Sequence, residues 1–100
     1  MSSKNISKEE ILDFLRKNKP FFKKKFAVDE IMLFGSFARD EGTESSDIDI
    51  LIKSDIKSFD KLYRLTVFLE DNLQKKVDVI YIDSINPFIL ELIDQEIIYA

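Results

Sequence analysis

Apolar residues recur along this chain in two rhythms, one of about 3.6 residues and one of two, and the switches between them mark out its elements. Ser7-Lys8-Glu9-Glu10 has the form of a capping box: Ser7 accepts from an early helical N–H and Glu10 reaches back. The helix it opens has Ile11, Leu12 and Leu15 on its apolar face. Pro20 breaks that helix and starts a second short one, with Phe21, Phe22 and Phe26 inward and Lys23, Lys24 and Lys25 outward. The lysine run reads as a solvated face in preference to a phosphate-binding one.

Val28 to Phe34 is β-branched and apolar, a strand that ends at Gly35, and Asp47 to Lys53 reads as a second strand. Between them Ser36 to Asp40 can form one helical turn, and Glu41 to Ser46 has loop composition. Both glycines, Gly35 and Gly42, fall in this connection. From Ser58 the positions Phe59, Leu62, Tyr63, Leu69 and Leu73 follow a helical period, giving a helix that ends near Gln74 to Lys76. Val77 to Ile82 is a third strand, and Asn86 with Pro87 suits the start of a last helix through about Gln95. Ile97 to Tyr99 is either a short closing strand or a tail. Strands alternating with helices in this order predict a small α/β domain with a helix-covered sheet, whose strand order the pattern leaves open.

Length and composition narrow the class. A chain of 100 residues fits one domain, residues 1–100, and its 45% hydrophobic and 34% charged content with two Gly and two Pro belongs to a packed fold. A net charge of −4 leaves no global positive field to hold a polyanion, so nucleic acid is a disfavoured partner. No apolar run approaches the ~18 residues of a membrane span, and Met1 to Ser7 lacks the apolar segment of a signal peptide. The expectation is a cytoplasmic protein without membrane contact. Zero Cys and zero His exclude disulfides, thiol nucleophiles, Ser-His-Asp triads and the usual zinc sites. Any catalytic metal must then be held by oxygen, which favours magnesium, manganese or calcium.

Three groups of residues carry candidate chemistry. Alternation on the second strand sends Asp47, Asp49 and Leu51 to one face and Ile48, Ile50 and Ile52 to the other. The two aspartates, with Cα atoms roughly 6.5–7 Å apart, can both reach a pair of metal ions spaced at about 3.5–4 Å. Without a cation they repel; taken alone, Asp-x-Asp is a weak signal that reads more readily as two exposed strand-end residues. Gly35 permits a sharp turn after the first strand, and Ser36 with the N–H groups that follow can aim donors at a phosphate, although Gly-Ser is also a common strand-to-helix turn. Asp78 stands in Val77-Asp78-Val79-Ile80-Tyr81, a strand otherwise apolar on both faces, where a carboxylate is costly unless a metal or a partner such as Lys75 or Lys76 offsets it.

Gly35-Ser36, ten residues, then Asp47-Ile48-Asp49 resembles the Gly-Ser-x10-Asp-x-Asp signature of the DNA polymerase β-like nucleotidyltransferases. Phe34-Gly35-Ser36-Phe37-Ala38-Arg39 with Ser46-Asp47-Ile48-Asp49 is similar to its minimal nucleotidyltransferase (MNT) subfamily, and the likeness runs through most of the chain. The resemblance implies a small mixed β-sheet flanked by helices. It also implies that Gly35 and Ser36 bind the triphosphate, that Asp47 and Asp49 hold two Mg2+ ions, and that Asp78 completes the acidic triad and helps to activate an acceptor hydroxyl. The chemistry implied is two-metal in-line displacement at the α-phosphorus of a nucleoside triphosphate such as ATP, with pyrophosphate leaving. Arg39 contacts phosphate in this reading, or forms a salt bridge to Glu41 or Glu44. One departure is visible: where the subfamily has Arg-Gly-Glu, this chain has Arg39-Asp40-Glu41, with Gly42 two residues on as a substitute source of flexibility.

Members of the subfamily resemble the antitoxin of HEPN–MNT toxin–antitoxin pairs, in which the MNT protein adds AMP to the HEPN ribonuclease. The resemblance therefore implies an ATP-dependent protein adenylyltransferase acting on a HEPN-domain partner; a domain this small has little room for an acceptor pocket of its own. Two other functions stay open at this level: a non-catalytic module that masks a partner protein, and a small-molecule nucleotidyltransferase subunit that borrows its acceptor site.

Overall fold

A computed structural model describes residues 6–100; Met1 to Asn5, most of the polar start taken to exclude a signal peptide, lies outside the described residues. Helix α1 (Lys8–Lys17) opens on the predicted capping box, with the Glu10 N–H donating to Ser7 Oγ at 3.1 Å and the Ser7 N–H donating to Glu10 Oε1 at 2.9 Å. Such a cap contributes about 1 kcal/mol. After Asn18, α2 (Lys19–Phe26) begins with Pro20 in its first turn and stops at Ala27, which takes a left-handed φ of 59°. Strand β1 (Glu30–Phe34) follows, then β2 (Ile48–Lys53), α3 (Phe59–Leu73), β3 (Val77–Tyr81), α4 (Pro87–Ile93) and β4 (Ile98–Tyr99). Single 3-10 turns at Ile82–Ser84 and Asp94–Glu96 flank α4, so that helix closes two residues short of Gln95. Among the described residues no helix is long and apolar enough to cross a membrane.

The sheet is mixed, in the order β3-β2-β1-β4. β1 and β2 are antiparallel, β2 and β3 are parallel and joined through α3, and β4 adds antiparallel to β1, opposite Met32 and Leu33. The closing segment is thus a strand. One face of the sheet meets α1, α2 and α3 through Ile31, Leu33, Ile48, Ile50 and Ile52, which pack with Ile11, Leu15, Phe22, Leu65 and Leu69. Burying each such side chain contributes roughly 1.5–3 kcal/mol.

Two apolar assignments differ from expectation. Phe59 and Tyr63 stand 92% and 69% exposed; Leu69 and Leu73 are buried as expected, with Leu62 at the edge, and Leu65 completes the stripe. The spacing of three, four and four from Leu62 keeps that stripe on one side, and Phe59 is the first residue of the helix. Phe21 also lies at the rim, 41% exposed, with its ring 5.1 Å from that of Phe68.

Candidate active site

The antiparallel register sets Phe34 opposite Asp49, so the turn at Gly35 and Ser36 leaves β1 at the end of the sheet where β2 begins. The parallel register sets Asp49 opposite Asp78. Residues in register share a face, and neighbouring strands lie about 4.8 Å apart, so these two carboxylates rise side by side from the same surface. Asp47 sits one residue ahead of the first β2 residue and follows the same alternation. Ile48, Ile50 and Ile52 point into the helical core, as expected.

Asp47 and Asp49 are half-buried, and Asp78 is exposed. The expected burial penalty on Asp78 is absent because β3 is the edge strand and its Asp78 and Ile80 face solvent. Nor does Asp78 pair with the neighbouring lysines: Lys75 Nζ donates to the Glu44 carbonyl at 2.8 Å and lies 5.5 Å over the Phe37 ring, and among the described residues Asp78 makes no ion pair with Lys75 or Lys76. Burial pushes the Asp49 carboxyl above its ordinary value, the charges of Asp78 and Asp47 push it further, and Arg39 pulls it back. Asp49 therefore feels both other acids at once. Among the described residues no three acids already close into a cation cage. Three like charges on one surface repel, and a dication bound to their oxygens relieves that repulsion, so the donor set fits a hard cation.

Gly35 is required on two counts. Its φ is +81°, and a Cβ built on it would overlap Asp49 Oδ2. The turn after it is one helical turn closed by a Schellman motif: the Arg39 N–H donates to the Gly35 carbonyl at 3.1 Å, the Asp40 N–H to Phe37 at 3.1 Å and the Glu41 N–H to Ser36 at 2.8 Å. Phe37 and Ala38, both buried, fix this turn to the core. Asp40 occupies the left-handed position of the motif with φ 64°, where Gly is usual, and Asp tolerates that region better than most residues. The chain thus keeps the backbone shape without the subfamily's glycine. Gly42 does not supply it; Gly42 lacks a positive φ and instead lies flat against Phe37, where a Cβ would overlap the ring.

Arg39 makes a salt bridge to Glu41, Nε to Oε1 at 3.1 Å, and a second that the sequence did not suggest, Nη1 to Glu96 Oε1 at 2.8 Å. Glu44 is not its partner. These hydrogen bonds raise the Arg39 pKa, and the guanidinium still acts on Asp49 across the turn. Glu96 lies 57 residues further along the chain and no local pattern marks it. Lys75, expected as a partner for Asp78, instead ties the 41–46 loop to the end of α3.

Fold and sequence together define the class. A model of the nucleotidyltransferase domain family matches residues 15–100, and this chain belongs to that family. Among its relatives, a provisionally named protein adenylyltransferase of Methanocaldococcus jannaschii is 44% identical over 93 residues, 91% of this chain and 95% of the relative. The protein adenylyltransferase MntA of Thermococcus cleftensis is 35% identical over 96 residues, 95% of this chain and 97% of the relative. Among solved structures, one provisionally named a minimal nucleotidyltransferase matches with a TM-score of 0.79 at 26% identity, over 96% of this chain and 98% of that one. A chain from the crystal structure of an MntA–HpeT toxin–antitoxin complex matches with a TM-score of 0.64 at 25% identity, over 96% of this chain and 72% of that one.

Proposed function

We propose that this nucleotidyltransferase is a cytoplasmic protein adenylyltransferase that moves AMP from ATP to a hydroxyl of a HEPN-domain partner and thereby acts as its antitoxin. The observation that carries this reading is the Asp49–Asp78 register on one face, with Gly35 pressed against Asp49. Asp47, Asp49 and Asp78 would hold two Mg2+ ions, which supply charge neutralisation at the triphosphate and lower the pKa of the attacking hydroxyl.

The remaining roles belong to the chain's own groups. The backbone at Gly35 and Ser36 receives the triphosphate, and the buried Phe37 and Ala38 keep that turn from shifting. Arg39, held beside the turn by Glu41 and Glu96, has a second guanidinium edge to offer a phosphate. The acceptor oxygen bonds to the α-phosphorus as the bond to pyrophosphate breaks. Asp78, exposed at the sheet edge, takes the hydroxyl proton from an acceptor too large to enter a pocket.

A protein acceptor is further supported by α4, where Phe88, Ile89 and Leu92 stand 81%, 50% and 75% exposed, an apolar surface of the kind that seats against protein. The same surface favours the masking alternative. Radiolabelled ATP with Mg2+ and a co-expressed HEPN protein separates the two: label on the partner that is lost with Asp49→Asn supports transfer, and stable complex formation without label supports masking.

A further inference from the structure

The free edge of β3 begins beside Asp78, and its backbone groups are countable. Ile48 N–H donates to the Lys76 carbonyl at 3.0 Å, which fixes the phase of the parallel ladder: Lys76, Asp78 and Ile80 turn their backbone groups toward β2, and Val77, Val79 and Tyr81 turn theirs outward. The outward Val77 N–H is already satisfied by Glu70 Oε2 at 3.0 Å. Among the described residues no strand lies beyond β3, so the Val77 carbonyl and the Val79 N–H and carbonyl present an open ladder next to the acids. At the far end, about 10 Å from Asp78 at strand spacing, a hollow of about 280 Å³ is lined by Phe59, Leu62 and Tyr81, with Lys57, Ser58 and Ser84 at its margin. Phe59 there is almost wholly exposed, a cost in water that a bound apolar side chain would remove.

We propose that an extended acceptor segment adds to the free edge of β3, pairing with the Val79 backbone so that its hydroxyl lies at Asp78 and an apolar side chain three residues away, on the opposite face of the added strand, fills the Phe59–Leu62–Tyr81 hollow. The inference rests on the adenylyltransferase reading and specifies how that reading's protein acceptor is recognised. Main-chain pairing supplies affinity without sequence preference, and the hollow supplies register. An extended segment suits a site that is open along one side.

The probe is a library of twelve-residue peptides with one central Tyr, Ser or Thr, tested with MgATP for AMP transfer and for binding. Val79→Pro removes the outward donor at a position where an edge strand accepts Pro, and Val79→Ala keeps the donor. Phe59→Asp, on a fully solvated side chain, alters the hollow without touching the core. The expected result is that wild type and Val79→Ala modify peptides with an apolar residue three positions from the hydroxyl, and not those with it at four. Val79→Pro then loses at least tenfold in peptide affinity at unchanged MgATP affinity, Phe59→Asp abolishes the apolar preference, and the Val79 amide gains exchange protection when peptide binds. Equal affinity for Val79→Pro and Val79→Ala, or MgATP binding with no peptide captured, overturns the edge proposal alone; failure of the wild type to bind MgATP overturns the transferase reading. A dimer of the chain that Val79→Pro splits assigns the edge to a second copy and also overturns it. Should Val79→Pro not fold, Phe59→Asp and the amide protection decide the matter by the same criteria.

Discussion

Gly35 and Asp49 are in direct contact across the β1–β2 ladder: the glycine Cα, at φ +81°, sits where any Cβ would enter the Asp49 carboxylate. The turn that would hold the triphosphate and the acid that would hold the cation are therefore set by one packing relationship. Gly35→Ala is expected to destabilise by about 1–2 kcal/mol through the left-handed backbone alone, and by more through the overlap. In an Asp49→Ala background only the backbone part should remain. Urea unfolding of the four proteins in that cycle measures the difference.

Burial and the neighbouring charges of Asp78 and Asp47 disfavour the ionised form of Asp49. A carboxyl whose folded pKa lies above its ordinary value of 3.8 binds its proton more tightly in the folded state, so its contribution is favourable at acid pH and is lost as pH rises through the folded value. Without divalent cation, Asp49→Asn is expected to melt a few degrees higher than wild type at pH 7, and the gap should close as pH falls toward 4. A variant that melts lower at both pH values would mean that Asp49 braces the fold.

Asp40 stands where a glycine would carry no left-handed penalty. Asp40→Gly should stabilise by roughly 0.5–1 kcal/mol, and removing a negative charge beside the turn should leave MgATP affinity equal or higher. Thermal melting and calorimetry on one preparation check both effects.

Arg39 joins two glutamates at the surface, and exposed ion pairs of this kind contribute about 0–1 kcal/mol. Arg39→Ala is therefore expected to change the melting temperature little. If its guanidinium turns to phosphate when nucleotide binds, the same variant weakens MgATP at least tenfold. An equal loss in Arg39→Lys would mark bidentate geometry, and not charge alone, as the requirement.

What the sequence made legible was local. Ser7 and Glu10 read as a capping box because both partners lie within one turn, and Asp47 and Asp49 read as co-facial because strand alternation needs only two residues. The Asp49–Asp78 pairing, the β4 addition and the Arg39–Glu96 bridge depend on strand order and long-range packing, which periodicity does not encode. Helix α3 shows the limit within a single element. Periodicity reads Leu69 and Leu73 correctly, but it also puts Phe59 and Tyr63 with Leu62, and only the position of the sheet beneath the helix leaves those two exposed and buries Leu65. Asp78 shows the same limit in electrostatic form, since its exposure follows from β3 lying at the edge and not from its apolar neighbours.

The central claim is that the acids around Asp49 bind a triphosphate through divalent cation. Titration calorimetry with ATP, in Mg2+ and then in excess chelator, tests it in wild type, Asp47→Asn and Asp49→Asn. The account predicts binding by wild type that chelator abolishes, with at least a tenfold weaker affinity in both variants at undiminished thermal stability. ATP affinity that persists in chelator, or that is unchanged in Asp49→Asn, would contradict it.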